Sequence, residues 1–172
     1  MNLAARVITH LERNGVMAAI IGGVALGAHG VARATLDTDI LVADGAILSP
    51  TFWRTLRSAP DPQIRRGDAD DPLAGVVRLA RRSESVDVLV GRGVWMRRVL
   101  ERRTWLRLPR HKLPFVDRAD LVLLKLYAGG PQDLLDVQLL VETDPGGLRE
   151  AVEHRLAHVP RAIAARWRRL AG

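Results

Sequence analysis

Residues 21–42 read IGGVALGAHGVARATLDTDILV, and the fold turns on how this stretch is parsed. The apolar run of residues 16–21 stops at Gly22-Gly23, the pattern of a short buried strand. Residues 24–29 predict a short helix closed by Gly30, and Asp39-Ile40-Leu41-Val42 predicts the next strand. Two glycines between a strand and a helix let the backbone approach a ligand closely, and the helix start offers free N–H groups. That suits a phosphate, although Gly-Gly after a strand also serves as a plain tight turn.

Asp37 and Asp39 sharpen the reading. Residues two apart on a strand point to the same face. Two carboxylates on one face, beside Ile40-Leu41-Val42, repel each other next to apolar core, and a buried charge without a partner costs several kcal/mol. A divalent cation held by hard oxygen ligands, magnesium or manganese, is one compensation. A solvated strand start or a pair of turn caps is another. Asp87 interrupts Ser85-Val86-Asp87-Val88-Leu89-Val90 in the same way. If that strand lies beside the first, Asp87 completes a three-carboxylate cluster able to hold two metals for in-line phosphoryl transfer. On its own it reads as an edge-strand surface residue.

Working outward, residues 3–14 carry Leu3, Val7, Ile8 and Leu11 at helical spacing, with Asn14-Gly15 as the stop. Ser49-Pro50 opens a helix through about Ser58, with Ser49 as N-cap and Pro50 at the first helical position. Residues 59–72 form a proline- and aspartate-rich loop interrupted by a strand over residues 63–66. Residues 75–80 and 85–90 predict a hairpin turning at Arg81-Arg82-Ser83-Glu84. A helix over 94–103 and a strand over 105–108 follow. Pro114 leads to Asp117, the N-cap of a helix over 118–128; Gly129-Gly130 breaks it, and Pro131 opens another to about Val141. The rest predicts one or two basic helices. The pattern implies an α+β (mixed α/β) fold: a small mixed sheet flanked by helices, with a core over residues 1–115 and a helical segment over 116–172 packed on it. Trp95 and Trp105 are expected in the core, and Trp167 under the last helix. His29 is read as packing locally at a helix end.

Lys125 sits inside Leu121-Val122-Leu123-Leu124-Lys125-Leu126-Tyr127-Ala128. It could snorkel out along its apolar stem. Yet Lys112 and Lys125 are the only lysines among 26 basic residues, so a compact ammonium here hints at a point charge for a triphosphate. Asp133 and Asp136 share one helical face and could order Lys125, order a basic loop near the site, or cap the helix after Pro131. The net charge of +7 makes polyanionic partners plausible, and the arginines over residues 161–169 could grip an RNA backbone or face solvent. With 172 residues, 48% hydrophobic and no cysteine, the chain is neither disordered nor disulfide-stapled, and thiolate metal sites and cysteine nucleophiles are excluded. No apolar run is long enough for a membrane span and no signal peptide opens the chain, so a cytoplasmic location is expected.

Taken together, Gly22-Gly23, Gly30, Arg33, Thr35, Asp37, Asp39 and Asp87, then Lys125-Leu126-Tyr127-Ala128 and Asp133-Leu134-Leu135-Asp136, resemble the nucleotidyltransferase superfamily, the fold shared with DNA polymerase β. The chain looks most like its AbiEii/AbiGii-type toxin branch, over about residues 17–141. The resemblance implies an enzyme that moves a nucleoside monophosphate from NTP to an acceptor hydroxyl with magnesium or manganese, releasing pyrophosphate. Gly22 and Gly23 would cradle phosphates; Asp37, Asp39 and Asp87 would bind metal, with Asp87 also acting as base; Lys125 would contact nucleotide. Arg33, Thr35 and Asp133 would belong to the nucleotide site, Arg33 touching phosphate or bracing Asp37. Many relatives carry a basic residue where this chain has Gln132. The acceptor would be an RNA or tRNA end or a protein, with a cognate antitoxin protein as a further partner. The alternatives are transfer to a small molecule such as an antibiotic, or a nucleotide- or partner-binding module without turnover.

Overall fold

The computed structural model describes residues 2–56, 59–81, 84–109 and 111–171. Among these, the fold is mixed α+β: one seven-stranded sheet with eight α-helices around it. In chain order the elements are α1 (Leu3–Arg13), β1 (Ala18–Ile21), α2 (Gly22–Ala28), β2 (Asp37–Val42), a 3-10 turn (Gly45–Leu48), α3 (Pro50–Trp53), β3 (Gln63–Arg66), β4 (Leu73–Arg81), β5 (Glu84–Gly91) and α4 (Val94–Glu101). There follow β6 (Thr104–Arg107), β7 (Lys112–Phe115), α5 (Arg118–Ala128), α6 (Pro131–Thr143), α7 (Gly147–Glu153), a second 3-10 turn (Leu156–His158) and α8 (Arg161–Ala171).

The strands lie in the order β3-β4-β5-β2-β1-β7-β6. β2 runs parallel to β5 and β1 parallel to β7; the other neighbours are antiparallel. The centre is buried on both faces, as the short runs Ala18-Ala19-Ile20 and Ile40-Leu41-Val42 demand. β4 and β5 alternate instead. Val77, Leu79, Val86, Val88 and Val90 point into the core, while Val76, Arg78, Ser85 and Asp87 point to the other, more open face. Leu48 closes the core face against Gly75, and Met96 of α4 meets Gly91 on the opposite face.

Several expectations need correction. α2 begins on the glycines themselves rather than after them. The helix predicted from Ser49 is one turn long, and a 3-10 turn precedes it; Trp53 instead anchors the segment by donating its Nε1–H to the Ile47 carbonyl at 2.7 Å. Residues 57 and 58, in the predicted helix, and 82 and 83, in the predicted turn, lie outside the described residues. β7 was not expected, because Pro114 cannot donate to a ladder. It pairs fully with β6, while its contact with β1 is confined to the Ile20–Phe115 step past the proline. Trp105 is not core: it is 43% exposed on β6, with the Arg103 guanidinium over its ring. Trp95 and Trp167 are buried.

α5 is the hub of the helical part, packing on α2, α6, α7 and α8. Its N-terminus is capped by Asp117, whose carboxylate accepts from Ala119 N–H at 3.0 Å. One turn on, Asp120 is fully buried and receives two bonds at 2.8 Å from Arg102, after α4, and an ion pair at 2.9 Å from Arg155, after α7. Its C-terminus ends at Gly129 (φ +68°), and Arg166 of α8 donates to the Leu126 and Tyr127 carbonyls at 2.5 and 2.9 Å. A Cβ on Gly129 would strike that guanidinium.

Candidate active site

Parallel pairing of β2 with β5 sets Asp37 opposite Ser85 and Asp39 opposite Asp87. The predicted condition for a carboxylate cluster, two adjacent strands, is therefore met, and all three acids share one face. β1 delivers Ile21 opposite Asp39, so Gly22 turns directly over that carboxylate. Gly22 has φ +66°, and a Cβ there would sit 2.1 Å from Asp39 Oδ2. Only glycine permits both the turn and the approach. Gly23 is hemmed in by Thr35, whose hydroxyl donates to the Asp37 carbonyl at 3.0 Å. The glycines and Thr35 thus hold the strand that carries the two aspartates.

Electrostatics mark Asp39 out. Burial, then Asp87, then Asp37 push its carboxyl up from 3.8 to about 6, against the opposing pull of Lys125 and Arg33. Burial also raises Asp87; Arg78 pulls it down and Asp37 adds to the rise. Arg78, on β4 directly across from Asp87, bonds its Oδ2 at 3.1 Å and reaches Asp37 Oδ1 at 3.6 Å. The second oxygen of Asp87, Oδ1, is buried with no hydrogen-bond partner. As the side chains stand, with Arg78 between the acids, no three His, Asp or Glu groups among the described residues are grouped closely enough to hold a metal ion. The donor set nevertheless suits a hard divalent cation: all ligands are carboxylate oxygens, one buried oxygen is unsatisfied, and mutual repulsion leaves Asp39 in need of positive charge.

Lys125 is the cation nearest in kind to that need. It is 8% exposed, and its Nζ pairs with Asp133 Oδ1 at 2.7 Å and Asp136 Oδ2 at 2.8 Å. Asp136 is buried and also accepts from Arg33 at 2.5 Å and from Gln132 at 3.1 Å. Arg33 therefore braces against Asp136, not Asp37. Of the readings open for Asp133 and Asp136, ordering Lys125 is the one both satisfy, and Asp133 also accepts from the Gly130 N–H at the start of α6. His29 does not pack only locally as expected: its Nε2 lies 2.8 Å from the carbonyl of Val116, 87 residues on, just after β7. Arg78 is the residue that sequence reasoning missed. It interrupts Gly75-Val76-Val77-Arg78-Leu79 as Asp87 interrupts the next strand, and counting back across the hairpin from the Arg81–Glu84 pair aligns the two.

No protein-family model matches the sequence, and no curated protein does. Solved structures do. An antigenic nucleotidyltransferase-like protein from Paracoccidioides brasiliensis superposes with a TM-score of 0.52 at 15% identity, over 96% of this chain and 90% of that one. The fold is a nucleotidyltransferase fold. A provisionally assigned nucleotidyltransferase of Thermotoga maritima matches at TM-score 0.57 and 11% identity, over 82% of this chain and 91% of its own. The antibiotic-resistance factor ANT(2″)-Ia, in complex with adenylyl-2″-tobramycin, matches at TM-score 0.53 and 12% identity, over 97% and 96% of the two chains. The nucleotidyltransferase fold accounts for the sheet and its helices.

Proposed function

We propose that the protein is a metal-dependent nucleotidyltransferase that moves a nucleoside monophosphate from an NTP to an acceptor hydroxyl. The observation that carries this reading is the in-register pair Asp39–Asp87, with Asp37 alongside and a glycine turned onto Asp39 where no other residue fits. A fold kept only for binding has no need of three acids on one face, where Asp37 and Asp87 both push the buried Asp39 carboxyl up.

Asp37, Asp39 and Asp87 would hold magnesium or manganese, which supplies positive charge to the triphosphate when bound. Asp87 takes the proton of the acceptor hydroxyl; its raised pKa makes it a better base, and its free Oδ1 is available for the proton. The acceptor oxygen bonds to the α-phosphorus, the bond from that phosphorus to the bridging oxygen breaks, and pyrophosphate leaves. Lys125 offers a point charge to the phosphates, and Gly22-Gly23 offers unblocked backbone. Asp133 and Asp136 act as positioning residues by fixing Lys125, and Arg33 is fixed by the same Asp136.

The test is incubation with each α-labelled NTP, magnesium and total RNA, beside an Asp37→Ala/Asp39→Ala control. Label entering RNA or protein, and lost in the control, establishes transfer. Metal-dependent NTP binding without transfer to RNA, protein or an aminoglycoside supports the binding module instead, and no NTP binding overturns the catalytic reading. The likeness to ANT(2″)-Ia is the reason for the aminoglycoside arm. A toxin role restrained by an antitoxin protein predicts growth arrest on expression that the double substitution abolishes.

A further inference from the structure

Arg78 makes contacts that the transfer reaction leaves unused. It stands on β4 directly across from Asp87 of β5. One guanidinium nitrogen lies 3.1 Å from Asp87 Oδ2 and another 3.6 Å from Asp37 Oδ1, so the side chain bridges two of the three carboxylates. A magnesium ion held by the same acids needs their oxygens at about 2.0–2.1 Å. Arginine and metal therefore claim the same oxygens. The roles given to Asp87 sharpen the conflict. It is to hold metal and also take a proton, which needs both of its oxygens, and Arg78 occupies one of them.

The arginine also fits its place poorly. Asp87 Oδ1 and Ser85 Oγ, the latter opposite Asp37 in register, are both buried without a hydrogen-bond partner. A permanent structural ion pair satisfies the polar groups around it, and this one does not. Nor is it strongly held. The side chains of Arg78, Asp37 and Asp87 are 45%, 44% and 21% exposed, the setting of a weak, solvent-screened pair. A way out lies on the same face. Away from the acids, the sheet opens over β3 and β4 as a trough of about 300 Å³, where Arg78 and Asp87 are joined by Gln63, Ile64, Arg65 and Val76. Gln63 is the register partner of Arg78, one strand spacing of roughly 4.8 Å away, and its amide oxygen can accept from the guanidinium.

We propose that Arg78 is a displaceable counter-ion that sets the metal affinity of the site: it holds Asp37 and Asp87 in the metal-free protein and turns out into the trough when a divalent cation binds. The assignment rests on the metal-dependent transferase reading and concerns how its metal enters. Binding is then an exchange of one cation for another. The contacts of Arg78 oppose the metal, and the acids are never left without a positive charge. Displacement also frees the second oxygen of Asp87 for its second role.

The experiment uses the full chain without NTP, unsubstituted and as Arg78→Gln, Arg78→Lys and Arg65→Gln. Calorimetric titration gives the dissociation constant for magnesium, and melting curves are taken in EDTA and in saturating magnesium. Arg65 lies in the same trough with no ion pair among the described residues, and controls for net charge. Arg78→Gln is expected to bind magnesium about tenfold more tightly, Arg78→Lys within about threefold of the unsubstituted chain, and Arg65→Gln within about twofold. By the same cycle, Arg78→Gln melts about 3–6 °C lower in EDTA, and saturating magnesium closes the gap. A deficit that persists in magnesium means that the arginine stays on the carboxylates beside the metal, and overturns the proposal. Unchanged or weaker binding by Arg78→Gln does so too, as does an equal gain from Arg65→Gln. The unsubstituted chain separates the two levels. Magnesium binding that Asp37→Ala/Asp39→Ala abolishes, together with a persistent deficit, sinks the role of Arg78 alone. No binding of magnesium or manganese, with or without NTP, sinks the metal-dependent reading and this proposal together.

Discussion

Asp39 carries its charge against burial, Asp87 and Asp37 at once. With its pKa raised from 3.8 to about 6, the folded protein holds a proton that the unfolded chain has released across that window. The full stabilisation from this group is present below about pH 4 and is lost as pH rises through about 6. A shift of this size corresponds to about 2–3 kcal/mol, toward the lower end because the side chain is partly solvated. Asp39→Asn should therefore raise the melting temperature of metal-free protein by about 4–8 °C at pH 8 and leave it unchanged near pH 4. On the proposed function, magnesium binding is expected to have the opposite dependence, weakening below about pH 6 as Asp39 takes its proton, which calorimetric titration at several pH values would read. Gly22→Ala forces a side chain into the Asp39 carboxylate at a positive φ. It should cost at least about 1–2 kcal/mol by denaturant titration and abolish nucleotide transfer. The shared face of the three acids was legible because Asp37 and Asp39 lie two apart at the head of an apolar strand and Asp87 interrupts another. Arg78 was not, since in a chain with 26 basic residues an exposed arginine looks like ordinary surface until the hairpin register is known.

Elements show the same divide. Strands and helices with a clear period were legible, including both partners of the hairpin and α5 with its Asp117 cap. β7 was hidden by Pro114, and α3 was overestimated because a serine and a proline announce where a helix starts and not how long it runs, and the Ser49 side chain makes no capping bond. The α5–α6 pair carries its own prediction. Asp136 anchors Lys125, Arg33 and Gln132, so Asp136→Ala leaves a buried ammonium with one partner instead of two. The expected loss is about 2–3 kcal/mol of stability, with a larger rise in KM for NTP than fall in kcat, since Lys125 loses its position and not its charge. Asp136→Asn, which keeps one acceptor, should recover part of the stability. Arg166→Ala should loosen the last turn of α5, costing about 1–3 kcal/mol, and amide exchange at residues 127–129 would report it.

For the whole molecule, the mixed α+β class was legible from the order of elements, while the strand order was not, because nothing local says that β2 pairs with β5 and β1 with β7. A cation bound only by the folded carboxylates stabilises the whole domain. At about a hundredfold excess over its dissociation constant, the gain is about 2.7 kcal/mol, or about 5–10 °C in a chain of this size. Differential scanning fluorimetry with magnesium against EDTA should show that rise, and Asp37→Ala/Asp39→Ala should remove it.

The hairpin β4–β5 has a consequence for how the chain reaches this structure. Its two strands are neighbours in sequence, so they pair early, and Asp87 enters that hairpin already matched to Arg78. When the hairpin later docks on β2, a distant segment, the incoming strand presents a neutral ion pair to Asp37 and Asp39 in place of a bare negative charge. With that order of pairing, Arg78 is expected to act as an escort during assembly. Arg78→Gln should slow folding in stopped-flow measurements more than it speeds unfolding, and raising ionic strength should restore much of the lost rate.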